Sequence, residues 1–215
     1  MTDRGIENTT DTTALVTKDT VRELDRRAVL RSAEIVAQVG DDQWDLPTPC
    51  GDWTLRRLLA HMTAHHLGFA AAAAGGPADP AVWREDPLDD PGRAYADSVE
   101  RVLAAFAADG VLDRSFVLPE IHPTMAFSAP RAMSFHFVDY VVHGWDVAAA
   151  LGTPAGYDDD LVAGAFEVSV REVPVGPSRE RPGASFRPPV ELTGPSGAED
   201  RLLAFLGRDP RWSPQ

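Results

Sequence analysis

The sequence predicts an all-α fold: a four-helix bundle followed by a C-terminal appendage of helix and loop. Apolar residues recur at helical spacing through four long segments, while strand-like alternation is weak and confined to one stretch. Gly, Pro and Asp clusters punctuate the segments, and no repeat occurs at solenoid periods.

Residues 1–17 lack periodicity, are rich in Thr and Asp, and read as a disordered or loosely attached leader. Over about residues 19–39 the run Val21, Leu24, Ala28, Val29, Ala33, Val36 has helical spacing, with Asp19 and Thr20 as its cap. After the turn-rich GDDQWDLPTPCGDW, Thr54 caps a second helix that stops at Gly75 and Gly76. A loop with Pro77, Pro80 and Pro87 leads to a third helix over about residues 91–108, ended by Asp109 and Gly110. Residues 111–130 read as a loop with one short extended piece, interrupted by Pro119, Pro123 and Pro130. The fourth helix, residues 131–151 with Gly152 as its stop, is the most apolar segment. A fifth runs over about residues 158–172, and the loop VPVGPSRERPGASFRPP separates it from a short last helix between Gly197 and Gly207. The bundle is thus assigned to residues 18–155 and the appendage packed on it to 156–215.

Composition narrows the function. The 215 residues suffice for one domain with a full core, and 44% hydrophobic content excludes wholesale disorder. A formal charge of −13 argues against nucleic acid and anionic lipid, which both need clustered positive charge. The polar, acidic start has no secretory signal pattern, and the longest apolar run, around residues 69–74, is far short of a bilayer span, so a cytoplasmic protein without membrane contact is expected. Cys50 is the single cysteine, which excludes an internal disulfide and a cysteine-based zinc site. Any metal must therefore be held by histidine and carboxylate.

All six histidines lie between His61 and His143. On the fourth helix, at about 100° per residue, His136, Asp139, His143 and Asp146 fall within an arc of roughly 80°. The rest of that helix is apolar, which buries the arc as well and obliges each carboxylate to find a cation, a protonated histidine or an arginine. Asp139 and His143 stand one turn apart, the spacing by which a helix gives two ligands to one metal, or else forms a hydrogen-bonded pair. Asp146 reads as a residue orienting a histidine or pairing an arginine, and His136 as a satisfied core or supporting histidine. His122, in a loop, reads as solvated.

A third ligand must come from another element, and the second helix offers His61, His65 and His66. Projection places His66 at the centre of the stripe Leu55, Leu58, Leu59, Met62, Phe69. It places His61 about 120° away, among Ala60, Ala64 and Gly68, whose small side chains permit close approach of another helix. Cys50 reads as a small buried residue or a thiol near the site, and Trp53 and Trp145 as packing residues or pocket walls.

TPCGDWTLRRLLAHM at 48–62 and DYVVHGWDVA at 139–148 resemble the DinB-like metal-binding helical proteins. The likeness is greatest to the branch related to mycothiol-dependent maleylpyruvate isomerase, and the ending RLLAFLGRDP at 201–210 also resembles the tail of that branch's actinobacterial members. The resemblance spans about residues 18–210. It implies a DinB-like four-helix bundle with a divalent metal, zinc above others, held by His61 and by the pair Asp139 and His143, where the family has His-x3-His or Glu-x3-His. Selecting His61 overrides the stripe-based preference for His66. The resemblance further implies a thiol-dependent transferase or isomerase with mycothiol as co-substrate, and a small-molecule electrophile or thiol as partner of a monomer or homodimer.

Two other readings belong to different classes: a metal-dependent hydrolase in which hydroxide on the metal is the nucleophile, and a non-enzymatic metal-binding or ligand-sensing bundle. The tail's Arg171, Arg179, Arg181 and Arg187 are candidates for a carboxylate-bearing substrate or thiol, against a plain solvated loop.

Overall fold

A computed structural model describes residues 15–76, 79–181 and 183–214. Residues 1–14 of the expected leader lie outside the described residues. Its last residues dock on the fold: Val16 is buried, and the backbone N–H groups of Leu15 and Val16 donate to the Glu167 carboxylate.

Four helices form the bundle: α1 (Val21–Val36), α2 (Leu55–Ala73), α3 (Pro91–Ala107) and α4 (Ala129–Ala150). α1 lies along α4 and α2 along α3, and the cross pairs α1 with α3 and α2 with α4 close the square. The apolar period of each helix is its inward face, with Leu55, Leu58, Leu59 and Met62 of α2 all wholly buried. Each such side chain contributes about 1.5–3 kcal/mol of transfer free energy on burial. Thr54 caps α2 by accepting from the Arg57 N–H, and Asp90 caps α3 by accepting from Arg93. Thr20 departs from expectation: it occupies the cap position of α1, but its hydroxyl donates to the Leu15 carbonyl instead of capping the helix.

The other differences are local. α4 begins at Ala129 rather than residue 131, because Pro130 falls in the first turn, where a helix needs no N–H from it. The segment read as a loop with one extended piece holds a two-stranded antiparallel hairpin, β1 (Ser115–Val117) and β2 (Ala126–Ser128), with Phe116 opposite Phe127. Strands of three residues are too short to display alternation, and the two buried phenylalanines hold them together. The small-residue face of α2 is interior as its composition allows, but an indole covers Gly68: a Cβ there would overlap Trp83, from the 3-10 turn Pro80–Trp83. Gly144 of α4 is needed in the same way, since a Cβ would overlap the Tyr157 hydroxyl.

In the appendage, α5 (Asp159–Glu172) packs on α4 and α6 (Ala198–Phe205) packs on α5. Among the described residues no helix is long and apolar enough to cross a membrane.

Two buried hydrogen-bonded pairs tie these elements together. Asp25 of α1 meets His136 Nδ1 of α4 at 2.6 Å, with both side chains shut off from water. Burial raises the Asp25 carboxyl from its ordinary value, and the His136 charge opposes that shift. Beyond α6, Arg208 donates Nε to Asp146 Oδ1 and Nη2 to Asp146 Oδ2, each at 2.9 Å, a two-pronged bond that pins the tail to α4. Burial works to raise the Asp146 pKa, but Arg208 and His143 outweigh it and hold the carboxyl well below the usual range.

Removing one partner of a buried pair strands the other, so Arg208→Ala is expected to destabilise the protein by about 3–5 kcal/mol in urea denaturation. Because Asp146 titrates below its ordinary 3.8 in the folded state, its stabilisation is present above that value and lost as pH falls toward the depressed one. Wild-type stability should accordingly fall more steeply than that of Asp146→Asn between about pH 5 and pH 3. Parallel slopes would contradict the assignment.

Candidate metal centre

Two helices, α2 and α4, bring three side chains together. His61 comes from the middle of α2, and Asp139 and His143 from consecutive turns of α4. One ligand atom from each of the three lies within 4.8 Å of the others. His143 Nε2 stands 3.4 Å from Asp139 Oδ1. That separation is the edge of a tetrahedron whose corners lie about 2.0–2.2 Å from its centre, the bond length of nitrogen and oxygen ligands to zinc. Asp139 Oδ2 is buried without a hydrogen-bond partner, its neighbour His65 Nδ1 standing 3.4 Å away. A buried carboxylate oxygen without a hydrogen-bond partner fits a cation bound beside it.

The electrostatics agree with the geometry. Burial would raise the Asp139 pKa, but the adjoining His143 and His65 imidazoles outweigh it and hold the carboxyl well below its usual range. Burial would lower the His143 pKa, but Asp139 and Asp146 raise it well above the ordinary histidine value. His61 shifts the other way: burial lowers it, and the Glu85 hydrogen bond only partly compensates. The trio thus holds a carboxylate, a proton that can be displaced and a neutral imidazole.

Both histidines are braced from behind. His61 Nδ1 meets Glu85 Oε1 at 2.9 Å, and His143 Nδ1 meets Asp146 Oδ2 at 2.9 Å. A carboxylate on one ring nitrogen fixes the tautomer and directs the other nitrogen, Nε2, to the shared centre. Asp146 thus fills both roles read for it, orienting a histidine and pairing an arginine.

Cys50 is more than a small packing residue. Its thiol donates to Asp146 Oδ2 at 2.9 Å, lies 3.8 Å from His143 Nδ1 and accepts from Arg208 Nη2 at 3.3 Å. Burial and the Asp146 charge push its pKa up, which keeps it a thiol. Cys50, His143 and Asp146 also lie close enough to share an ion, but Asp146 there is already engaged by Arg208.

The remaining histidines are accounted for individually. His66, the choice of the apolar stripe, is fully buried in the core, bonded to Ser98 Oγ at 2.8 Å and stacked on Tyr140 with ring centroids 4.1 Å apart. His65 flanks the trio, its ring centroid 4.0 Å from that of His61. His136 is a core histidine: its Nδ1 is bonded to Asp25, and its Nε2 is buried without a hydrogen-bond partner. His122 is exposed, and its Nδ1 accepts the N–H groups of Thr124 and Met125. Trp145 is a core residue, whereas Trp53 sits against His61 with centroids 5.0 Å apart and lines the cavity above it. Of the tail arginines, Arg171, Arg181 and Arg187 are exposed and Arg179 is buried.

Sequence reasoning missed Asp25, Glu85 and Arg208. Asp25 carried a readable signal, a charge within the α1 stripe between Leu24 and Ala28. Glu85 and Arg208 lie in loops, where no periodicity announces which way a side chain turns.

A cavity of about 1070 Å³ opens over His61, Asp139 and His143. Its walls come from the hairpin, α4, the end of α5 and the loop before α6. Such a volume is at the upper end for small-molecule sites.

Residues 26–148 match the family model described as the mycothiol maleylpyruvate isomerase N-terminal domain. Uncharacterized proteins from two strains of Mycobacterium tuberculosis are 29% identical over 194 residues, covering 86% of this chain and 96% of each relative. Two crystal structures of the mycothiol-dependent maleylpyruvate isomerase, one of them of a mutant, superpose with TM-scores of 0.55 and 0.56. They are 14% and 12% identical and cover 71% of this chain and 70% of that chain, a likeness of fold. The family match takes in all of α2 and nearly all of α4, and with them the three converging side chains, so the chain belongs to the mycothiol maleylpyruvate isomerase N-terminal domain family.

Proposed function

We propose that this protein is a divalent-metal-dependent enzyme of low-molecular-weight thiols, a mycothiol-dependent transferase or isomerase, whose metal is held by His61, Asp139 and His143. The observation that carries the reading is the convergence of these three donors around an orphaned carboxylate oxygen at the floor of a large cavity. Two imidazoles and a carboxylate suit zinc and leave a further position open. When bound, such an ion supplies the positive charge that favours the thiolate form of a thiol beside it.

The chain's own residues do the rest. Glu85 and Asp146 hold the two imidazoles in one orientation, so the donor set is formed before any ligand arrives. Trp53, Trp83 and Phe69 line the cavity beside the histidines and limit water there. The volume leaves room for a thiol and an electrophile side by side. Asp at position 139, where the family has His or Glu, gives a carboxylate arm one methylene shorter than that of Glu.

Purified protein is expected to carry about one metal ion per chain, and His143→Ala and Asp139→Ala to lose it, whereas His122→Ala retains it. Elemental analysis checks this, and a wild type without stoichiometric metal would sink the assignment. Metal capture must displace the proton whose hold on His143 is raised, so affinity should climb with pH by about tenfold per unit through the neutral range. A flat affinity profile would show that His143 is not a ligand. In the cobalt-substituted protein, mycothiol should produce a sulfur-to-metal charge-transfer band; its absence would count against thiol activation.

A further inference from the structure

Arg179 is the one arginine of the cavity wall that is both buried and left with unused bonding capacity. Its side chain is 4% exposed, yet Nε and Nη1 have no hydrogen-bond partner. Nη2 alone is used, donating to the Phe205 carbonyl at 2.7 Å, and the guanidinium packs over the Phe205 ring. Among the described residues no carboxylate lies within ion-pair distance of it, and burial accordingly lowers its pKa. Its neighbours in the wall differ. Arg131 is paired with Glu172 and Arg208 with Asp146, while Arg181 and Arg187 reach solvent. A buried cation without a counter-charge is costly, and a fold retains one where something it binds offsets that cost.

The shape of the vacancy indicates the ligand. A single bond from Nη2 consumes one of that nitrogen's two protons, so one forked edge of the guanidinium keeps two parallel N–H donors. That fork matches a planar carboxylate. The same cavity is lined by Phe127, Phe135, Val138, Val168 and Phe186, together with the carboxylates Glu120, Glu172 and Glu180. The free nitrogens lie just under the wall, closed off from water. A carboxylate would reach them only through a turn of the guanidinium about its last torsions or a shift of the largely exposed stretch 183–188.

We propose that Arg179 is the anion-binding residue of this cavity and that the co-substrate it selects is a carboxylic acid with an apolar body. The inference rests on the reading of the cavity as an active-site cleft, but it does not require the thiol or the metal.

Calorimetric titration of the full chain with 3-phenylpropanoate, its uncharged amide and acetate tests it, in both metal-loaded and metal-free protein. The phenyl acid is expected to bind at least about tenfold more tightly than the amide and than acetate, with the same ratio in both forms of the protein. Arg179→Gln should abolish the preference for acid over amide while leaving amide affinity within about twofold, which serves as the check on folding. Arg179→Lys, which keeps the charge and loses the fork, should retain part of the preference. Equal affinity for acid and amide in the wild type, no binding of either, or a preference that survives Arg179→Gln would each overturn the proposal. A preference that vanishes on metal removal would also overturn it, by assigning the carboxylate to the metal. Failure of the thiol reading registers separately, in the cobalt spectrum.

Discussion

The structure depends on how α4 satisfies the polar groups it carries into the interior. A helix buried on nearly every side cannot bring two carboxylates and two imidazoles out of water unless other segments supply partners. Asp25 of α1 answers His136, Arg208 of the tail answers Asp146, and His61 and His65 of α2 face Asp139. Three separate parts of the chain are thereby drawn to one helix, and what holds the bundle in register also shapes the site.

Because Asp146 is shared, the anchor of the tail and the orientation of His143 are one arrangement. Arg208 takes both carboxylate oxygens, and one of them still accepts from His143 and from Cys50. Glu85 plays the corresponding part for His61 from a loop, on the more exposed flank. One imidazole is thus fixed by the core and the other by the surface, so the donor set is stiff on one side and adjustable on the other.

Much of this was legible before any coordinates. Helical periodicity located all four bundle helices, and the 80° arc on α4 announced that its polar residues would need buried partners. Periodicity failed on α2 for a physical reason. It ranks faces by hydrophobicity, so it favoured His66, which sits in the stripe because it stacks on Tyr140 and bonds to Ser98 as a core residue. His61 occupies a face of small residues, where closeness of packing, not apolar surface, marks the interior. The resemblance to a known family pointed to His61, which the structure brings beside Asp139 and His143. Loop residues stayed invisible by either route: the turn of Glu85 toward His61 and the burial of Arg179 follow from tertiary contacts that no local spacing encodes. The hairpin was lost to its brevity, and the Pro130 start of α4 to the habit of reading proline as a boundary.

The bridge between Asp146 and Arg208 also has a meaning in time. The two residues are 62 positions apart, and a chain leaves the ribosome from its N-terminus onward, with segments folding as they emerge. The four bundle helices are all synthesised well before Arg208. A nascent bundle therefore holds Asp146 and the ring it orients without the guanidinium that neutralises them, and it must keep that end hydrated and open. Arrival of the tail would close it, so the site is completed only once Arg208 has emerged, well after the four helices that carry the donors.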